Sequence, residues 1–441
     1  MPWNTLLCVM AIAVAVPASA QRAAPRPVAL RFGALVDGAG RTLRDPVVVV
    51  EGERIVSVGV GPGAIPRGAV VRDLRRYTAI PGLIDAHTHM TYYWDRQPAT
   101  NPWQQQGTRN TAVTVYLAQD NARRTLETGV TTVRDLGSRD FTDVAMRELI
   151  GRGAFPGPRM FVSGHGLGRL RPTTTNPAPV SVIARARIAD PADIPAAVKA
   201  QVDGGADVIK MYGSTGSASD VTGVQTFSAA EMRTAVEAAH ALGRRIAIHS
   251  YGPEGGRDAT AAGAESVEHA VDLDDATLAD MARRGTIYVP TIDHNRYYAE
   301  YRAEFGYTDA QAAALDAYRE RNLATARRAF QAGVRFAMGS DAVFTMFGQN
   351  TRELAWFVSV GMSPAQALAT ATTHGAALLG MEKELGAIAP GYFADIVAVE
   401  GDPLKDIRVV IDGVRWVMKG GAVVVDRRGD PRPTGARPRR R

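Results

Sequence analysis

Two histidines stand one residue apart where an apolar stretch of the chain ends. They are His87 and His89 in the segment PGLIDAHTHM, residues 81–90. In a β-strand, residues i and i+2 project from the same face, so the two imidazoles point the same way. Two imidazoles on one face can bind one divalent cation, although two solvated histidines at a strand end would show the same pattern. The pair alone leaves both interpretations open.

Other apolar stretches also end in side chains that could bind a metal ion or react near one. They are Lys210 and Tyr212 in DVIKMYG, His249 in RIAIHSYG, His269 in SVEHA and Asp341 in RFAMGSDA. A hydrophobic core excludes such groups unless each is paired or bound to a ligand. Histidine nitrogens and a carboxylate are the donors that zinc and similar cations prefer. The sequence therefore predicts a metal site where these strands end.

Lys210 is the exception in this set, because an ammonium group repels a cation. One hypothesis is that Lys210 pairs with Asp341 beside a single metal ion. The other hypothesis is that its amine has reacted with carbon dioxide to give a carbamate, an anionic group that can bridge two ions. The residue types and their spacing do not choose between these hypotheses.

Strand-like and helix-like segments alternate between residues 82 and 384. Six times a helical stretch is followed by a glycine and an apolar strand, as in LETGVTTVRDLG and HALGRRIAIHSYG, and glycine suits the left-handed residue just past a helix end. With the strands in PGLIDAHTH and PRMFVSGHG, the α/β pattern predicts a (β/α)8 TIM barrel, whose active site lies at the carboxyl ends of its strands. A doubly wound open sheet is the alternative, but no glycine-rich dinucleotide-binding motif follows the first strand.

Both ends of this region are rich in short β-strands. Residues 28–81 contain a hairpin pattern, VEGERIVSVG, and residues 385–426 return to the same texture in VRWVMKGGAVVVD. Neither segment has enough strands to form a stable β-sheet domain with its own hydrophobic core. We therefore predict one small β-sandwich built from both chain ends beside the barrel of residues 82–384.

The composition is that of a soluble globular protein. The chain has 441 residues, of which 46% are hydrophobic and 22% charged, and its formal net charge is +6. Part of this charge lies in residues 427–441, a basic tail that is predicted to be disordered. No basic patch with interleaved aromatic residues indicates nucleic-acid binding.

The N-terminal residues have the pattern of a cleaved export signal. Residues 5–16, TLLCVMAIAVAV, are apolar but too short to span a bilayer comfortably, and small residues precede Gln21. Removal of residues 1–20 would leave an exported protein, periplasmic or secreted, without a membrane span. The only cysteine, Cys8, lies in this segment, so any metal in the mature protein must be bound by nitrogen and oxygen.

The segments quoted above, together with GVTTVRDLG and GAIAPGYFADIVAVEGDPLKDI, resemble the amidohydrolase superfamily of metal-dependent hydrolases from about residue 28 to residue 426. The resemblance is to the branch with imidazolonepropionase-like hydrolases, Xaa-Pro and Xaa-Arg/Lys dipeptidases and ochratoxin-hydrolysing amidases. It implies two divalent metal ions, with Zn²⁺ expected, and a carbamate (N6-carboxylysine) at Lys210 that bridges them. The implied ligands are His87, His89 and Asp341 for one ion, and His249 and His269 for the other.

A hydrolytic mechanism follows from this resemblance. The two implied ions would lower the pKa of a water that they share and so activate it for attack on an amide carbonyl. Asp341 takes the proton of the nucleophile and later delivers it to the departing amine. Tyr212 is placed to help stabilise the oxyanion, although it could equally be an aromatic packing residue.

Substrate selection is expected from the loops that follow the strands. The candidate substrate-binding residues are His165 after the third strand, and His294, Arg296 and Tyr297 after the seventh. A guanidinium can bind a carboxylate through two hydrogen bonds, so Arg296 would suit an acidic substrate end. The alternative is that this segment only caps a helix with surface aromatic residues. Candidates for an aromatic wall after the first strand are Tyr92, Tyr93 and Trp94.

The leading hypothesis is a hydrolase of the amide bond in a dipeptide or an N-acyl amino acid with a free carboxylate. A cyclic-amide hydrolase or a one-metal deaminase of the same superfamily is the first alternative, although such deaminases usually have His-x-x-Glu near strand five and no bridging lysine. A catalytically silent barrel that binds a ligand is the second, and the complete ligand set argues against it. The expected partner is a small molecule or dipeptide, and a homo-oligomer is compatible with the sequence.

Overall fold

The computed structural model describes residues 26–38, 40–97, 100–169 and 185–430. The predicted export signal, residues 1–20, and residues 431–441 of the predicted basic tail lie outside these ranges. Helices and strands alternate along most of the described chain, so the fold is of the mixed α/β kind. None of the described helices is both long enough and apolar enough to cross a lipid bilayer.

The elements are numbered in chain order. The strands are β1 (Val28–Val36), β2 (Thr42–Arg44), β3 (Pro46–Glu51), β4 (Arg54–Val60), β5 (Val70–Pro81), β6 (Leu83–Thr88), β7 (Val130–Asp135), β8 (Arg159–Val162), β9 (Gly166–Arg169), β10 (Arg185–Ile188), β11 (Val208–Tyr212), β12 (Arg245–His249), β13 (Ser266–Glu268), β14 (Ile287–Val289), β15 (Ile396–Val399), β16 (Val414–Lys419) and β17 (Ala422–Asp426). The helices are α1 (Pro102–Thr108), α2 (Thr111–Leu117), α3 (Gln119–Glu127), α4 (Thr142–Gly151), α5 (Ile194–Asp203), α6 (Ala229–Ala241), α7 (Pro253–Ala262), α8 (Asp275–Arg284), α9 (Ile292–Glu300), α10 (Arg302–Phe305), α11 (Asp309–Gln331), α12 (Glu353–Val360), α13 (Pro364–Thr370), α14 (Thr373–Leu379) and α15 (Arg408–Asp412).

Strands from both ends of the chain form one sheet. Its order is β17-β16-β15-β5-β1-β3-β4, with β2 paired to β1, and it includes the predicted hairpin of β3 and β4. Side chains from both ends share a hydrophobic core in which Phe32 packs edge-on against Trp416, with ring centroids 6.5 Å apart. Large aromatic rings bury much apolar area, so this contact helps to hold the two ends together.

The central strands are parallel and pair largely in chain order. β6, β7 and β8 form one ladder, and β10-β9-β11-β12-β13-β14 form another. The Asp207 N–H donates to the Val162 carbonyl at the end of β8 and connects the two ladders. Tyr288 of β14 pairs with Phe336 in an isolated parallel bridge. In the same segment, the Asp341 N–H donates to the His87 carbonyl of β6. The series of parallel segments therefore returns to its first member.

Two details differ from the predicted strands. β9 and β10 are additional strands after β8, and the segment RFAMGSDA forms only isolated bridges, at Phe336 and Ala342. The backbone of Asp341 is left-handed, with φ of 51°, which ends the extended conformation there. β5 ends at Pro81 and β6 begins at Leu83. The predicted division of the chain into domains at residues 81 and 384 stays a prediction.

The predicted glycine junctions have the expected backbone geometry. The six glycines all have positive φ, from 67° at Gly243 to 98° at Gly205. Gly263 and Gly285 directly follow α7 and α8 as left-handed cap residues. Glycine adopts this conformation without the steric cost that a β-carbon brings, so each helix can stop and turn into the next strand.

Candidate active site

The predicted metal-binding and catalytic side chains line one cavity. They are His87, His89, Lys210, Tyr212, His249, His269 and Asp341. Each lies within two residues of the carboxyl end of β6, β11, β12 or β13, or in the segment that follows Phe336. Because the carboxyl ends of parallel strands meet on one rim, residues that are distant in sequence converge there.

His87, His89 and Asp341 form a group that can hold a metal ion. One ligand atom from each lies within 4.8 Å of the others. The Asp341 Oδ1 atom is 3.1 Å from His89 Nε2 and 3.5 Å from His87 Nε2. All three side chains are buried. Two imidazole nitrogens and a carboxylate oxygen are a donor set that suits Zn²⁺.

The hydrogen bonds of His87, His89 and His269 fit a role as metal ligands. The Nδ1 atom of His87 contacts Glu268 Oε2 at 2.7 Å, that of His89 contacts the Gly137 carbonyl at 3.2 Å, and that of His269 contacts Thr291 Oγ1 at 2.6 Å. The Nε2 atom of His87 is buried and has no hydrogen-bond partner among the residues that the structure describes. Engagement of Nδ1 by a neighbouring group, with Nε2 directed at the ion, is the usual arrangement of metal-binding histidines.

His249 and His269 lie beside the first group. Their ring centroids are 4.6 Å apart, and His269 lies 4.9 Å from His87. Burial, followed by the positive charge of Lys210, lowers the pKa of His87 to about 4, and burial lowers the pKa of His269 well below its usual value. Both imidazoles are therefore neutral at pH 7, which is the state that binds a cation. The Lys210 side chain is itself buried, with Nζ 5.2 Å from the centroid of the Tyr212 ring.

A buried charge network behind His87 was not predicted from the sequence. Glu268 Oε2 contacts His87 Nδ1, while Oε1 accepts a hydrogen bond from Arg134 at 2.8 Å. Burial acts to raise the pKa of Glu268, but the Arg134 guanidinium and the His87 contact hold it well below the usual range. The sequence did contain a signal, because VTTVRD and SVEHA each place a charged residue within an apolar strand, where it needs a partner.

Asp341 is surrounded by three histidines. Burial acts to raise the pKa of its carboxyl, but His294, His87 and His89 hold this pKa well below the usual value. His294 Nε2 is 3.2 Å from Asp341 Oδ2, and its Nδ1–H donates to the Asp341 carbonyl at 2.8 Å. His294, which the sequence predicted as a substrate-binding residue, therefore contacts the catalytic candidate directly.

Tyr212 occupies a space that two glycines leave open. A β-carbon at Gly137 would lie 2.9 Å from the Tyr212 hydroxyl oxygen, and one at Gly166 would lie 2.3 Å from the Tyr212 ring. Both distances are shorter than nonbonded contacts allow. The ring also lies 5.5 Å from that of His249, so its position is defined from several sides.

The segment after β14 is the helix α9, and only one of its faces meets the cavity. His294 and Tyr298 are four residues apart and line the cavity. Arg296 is buried and bonded to Asp293 Oδ1 at 2.7 Å, and Tyr297 bonds to Thr345 Oγ1 at 2.8 Å. Neither residue is among the described residues that line the cavity, and the helical period turns Arg296 away from the face of His294. The substrate role of Arg296 and Tyr297 stays a prediction.

The substrate-binding role also stays a prediction for His165. It is not among the described residues that line the cavity, and its ring stacks on Phe141 with centroids 4.7 Å apart. Its main-chain N–H donates to the Gln201 side chain at 2.9 Å. These contacts hold His165 against the neighbouring helices, at the beginning of the segment that leads into β9.

Aromatic side chains form much of the remaining cavity wall. Of the three aromatic residues predicted after strand one, Tyr92 lines the cavity and stacks on His89, with centroids 4.7 Å apart. Trp103 of α1 and Tyr251 after β12 also line the cavity but were not predicted. Nothing in the local sequence of Trp103 indicates this location, because α1 reaches the cavity only through packing.

The parallel strands and the donor set at their ends are those of a metal-dependent hydrolase. The chain belongs to the amidohydrolase family, whose model matches residues 78–424. Members of this family are metal-dependent, and the group of two histidines and an aspartate described above could bind the metal.

The chain is similar to three proteins whose functions are named. The ochratoxinase of Aspergillus niger is 29% identical over 432 residues, which cover 88% of this chain and 85% of that protein. The imidazolonepropionase of Symbiobacterium thermophilum is 26% identical over 430 residues, covering 90% and 92%. The crystal structure of a Xaa-Pro dipeptidase with methionine bound in the active site is 28% identical, with a TM-score of 0.79 and coverage of 90% and 99%. All three similarities extend over most of both chains.

Proposed function

We propose that this enzyme is a binuclear metal hydrolase that cleaves an amide bond in a dipeptide or an N-acyl amino acid with a free carboxylate. The observation that carries the proposal is the convergence of six ligand-type side chains, from four strands and the segment after Phe336, on one buried cavity. The relatives named above include a Xaa-Pro dipeptidase and an ochratoxinase, which supports a small substrate.

We further propose that residues 82–384 form a (β/α)8 barrel and that residues 28–81 and 385–426 form a composite β-sandwich. The return of the parallel series to β6 supports the barrel. The shared core of the two chain ends supports the sandwich. In this arrangement the cavity lies on the carboxyl rim, as in other barrel enzymes.

The proposed metal centre uses both groups of histidines. His87, His89 and Asp341 would hold one ion, His249 and His269 the other, and Lys210, as a carbamate, would bridge them. Two divalent cations, expected to be Zn²⁺, would supply an activated water and polarise the scissile carbonyl. Carbamate formation would convert the buried Lys210 cation, which repels metal ions, into an anion.

The protein's own side chains have separate tasks in this proposal. The Asp341 carboxylate accepts the proton of the attacking water and returns it to the nitrogen of the departing amine. His294 holds Asp341 in place through the hydrogen bond from its Nδ1–H to the Asp341 main-chain carbonyl. The Tyr212 hydroxyl donates a hydrogen bond to the oxyanion that develops on the carbonyl. The buried wall of the cavity limits access of bulk water.

A library experiment tests the substrate class. Purified protein is incubated with dipeptides, N-acyl amino acids and cyclic amides, and released amino acids and ring-opened products are measured by mass spectrometry. We expect turnover of dipeptides or N-acyl amino acids, and loss of turnover when the substrate carboxylate is amidated. Turnover of cyclic amides alone would favour the second candidate function, which the imidazolonepropionase relative supports. Release of ammonia alone, from an enzyme with one ion per chain, would favour a deaminase.

We also propose that the protein is exported after removal of residues 1–20. The support is the apolar segment and the small residues that precede Gln21. Mass spectrometry of the protein isolated from the periplasm or medium of expressing cells should find a mature chain that begins at Gln21. A cytoplasmic protein with an intact N-terminus would contradict this proposal.

A further inference from the structure

The His87 imidazole is held by an acceptor on the side opposite the cavity. Its Nδ1 atom contacts Glu268 Oε2 at 2.7 Å, and both side chains are buried. A carboxylate that is paired with an arginine has no proton to donate, so the His87 Nδ1 atom must carry the hydrogen of this bond. In a neutral imidazole the Nε2 atom then has the free lone pair, and this atom lies 3.5 Å from Asp341 Oδ1.

Arg134 fixes the orientation of Glu268. Its three nitrogens donate to three acceptors on two strands, β6 and β13. Nε donates to the Ala86 carbonyl at 2.6 Å, and the other two donate to Ser266 Oγ at 2.9 Å and Glu268 Oε1 at 2.8 Å. The Ser266 hydroxyl also donates to Glu268 Oε1. The Glu268 Oε1 atom therefore already accepts two hydrogen bonds, and Oε2 is the oxygen that accepts from His87.

We propose that Glu268 is a positioning residue for the metal centre, because it selects the His87 tautomer that has a hydrogen on Nδ1 and presents Nε2 to the ion. The proposal rests on the proposed role of His87 as a ligand. Glu268 directly precedes His269, so the end of β13 supplies a ligand to one group of histidines and orients a ligand of the other. A carboxylate that orients a metal-binding histidine also increases the basicity of the imidazole.

The substitution Glu268→Gln tests this role because it replaces the acceptor that faces His87 Nδ1 with a donor. Arg134 and Ser266 require an acceptor, so the glutamine oxygen would remain on their side and the amide NH₂ would face His87. His87 Nδ1 would then have to accept a hydrogen bond, and the hydrogen would move to Nε2, where it blocks metal binding. The change preserves side-chain size, so packing is retained.

Two measurements on the full-length protein follow. In a titration of metal-depleted protein with Zn²⁺ against a competing chelator, Glu268→Gln should weaken binding by about 10- to 100-fold, the usual effect of removing such an orienting partner. In ¹⁵N-histidine NMR spectra of the metal-free protein, the His87 ring should change from the Nδ1–H to the Nε2–H tautomer. A purely structural role for Glu268 would change stability without reversing the tautomer.

Ser266→Ala is the matched control, since it removes a neighbour from the same network but leaves Glu268 on His87. It should retain both the zinc affinity and the His87 tautomer of the wild type. A folded Glu268→Gln variant with wild-type affinity and an unchanged tautomer would overturn the proposal.

The wild-type protein alone also decides the question if the variant does not fold. Its metal-free spectrum should show His87 in the Nδ1–H tautomer, and a dominant Nε2–H tautomer would overturn the proposal. Failure of the wild type to bind Zn²⁺ would remove the proposed function as well. Tight wild-type binding that Glu268→Gln leaves unchanged would remove only the positioning role.

Discussion

Asp341 and His294 form a two-point contact. The His294 Nδ1–H donates to the main-chain carbonyl of Asp341, and its Nε2 lies 3.2 Å from the carboxylate Oδ2. The other carboxylate oxygen, Oδ1, lies 3.1 Å from His89. One oxygen of Asp341 therefore faces a predicted metal ligand and the other faces a group that can share a proton.

The first prediction follows from this contact. His294→Phe retains a ring of similar size but removes both interactions with Asp341, so kcat should fall on the order of 100-fold because proton transfer loses its orientation. The zinc content should stay at the wild-type value. Steady-state kinetics and elemental analysis of the same preparation measure both quantities.

Tyr298→Phe is a suitable control for this experiment. Tyr298 lies on the same face of α9 and lines the cavity, but its hydroxyl has no hydrogen-bond partner among the described residues. This variant should retain nearly all activity. Full activity in His294→Phe with normal metal content would argue against a role for His294 in proton transfer.

The second prediction concerns removal of metal. Purified protein should contain about two divalent ions per chain, and dialysis against a chelator should abolish turnover because the water would lose its activation. Addition of Zn²⁺ should restore activity in proportion to the metal bound. Measurement requires elemental analysis alongside the kinetic assay. A preparation that is active without metal would end the proposed mechanism.

The third prediction addresses Lys210. The substitution Lys210→Ala should abolish activity, because it removes the proposed carbamate bridge. Short carboxylic acids added to the variant should restore part of the activity, since a free carboxylate can occupy the position of the carbamate. The same acids should leave the wild type unstimulated. Unchanged activity in Lys210→Ala would contradict a bridging role.

The fourth prediction uses the space beside Tyr212. In Gly166→Ala, the new β-carbon would lie 2.3 Å from the Tyr212 ring and 3.2 Å from Lys210 Cγ, so both side chains must move. Displacement of catalytic groups by about 1 Å can cost on the order of 100-fold in kcat/KM. Gly151→Ala is the control, because a β-carbon there meets nothing within 4 Å. Equal activity of the two variants would show that Tyr212 is not needed in its present position.

The fifth prediction distinguishes packing from substrate binding at Arg296. The Arg296 and Asp293 side chains form a buried ion pair at 2.7 Å. Arg296→Met would leave the Asp293 charge poorly compensated and should lower the free energy of unfolding by about 3 kcal/mol. Denaturant unfolding measures this change, and KM for the substrate should stay close to the wild-type value.

Arg302→Met provides the comparison, because the Arg302–Asp309 pair is largely exposed and such pairs contribute little to stability. Its unfolding curve should nearly match that of the wild type. A large increase in KM for Arg296→Met, without loss of stability, would restore the carboxylate-binding role that the sequence suggested.

Local patterns in the sequence were sufficient to predict where strands and helices end and which way the two histidines face. The spacing of His87 and His89 predicted that both imidazoles face the same way at the end of β6, because a strand has a period of two. Apolar runs that end in Tyr212 or His249 marked the strand ends, and the glycine junctions marked where helices stop. Each of these signals depends only on residues within one element.

Tertiary structure alone decided which distant groups became partners. Arg134 and Glu268 are 134 positions apart, and their pairing follows from the proximity of the strands that carry them, which neither local sequence specifies. The face of α9 that meets the cavity was decided in the same way, so that Tyr298 lines it while Arg296 pairs with Asp293. A buried charge must find a partner, but the partner's identity depends on which elements pack together.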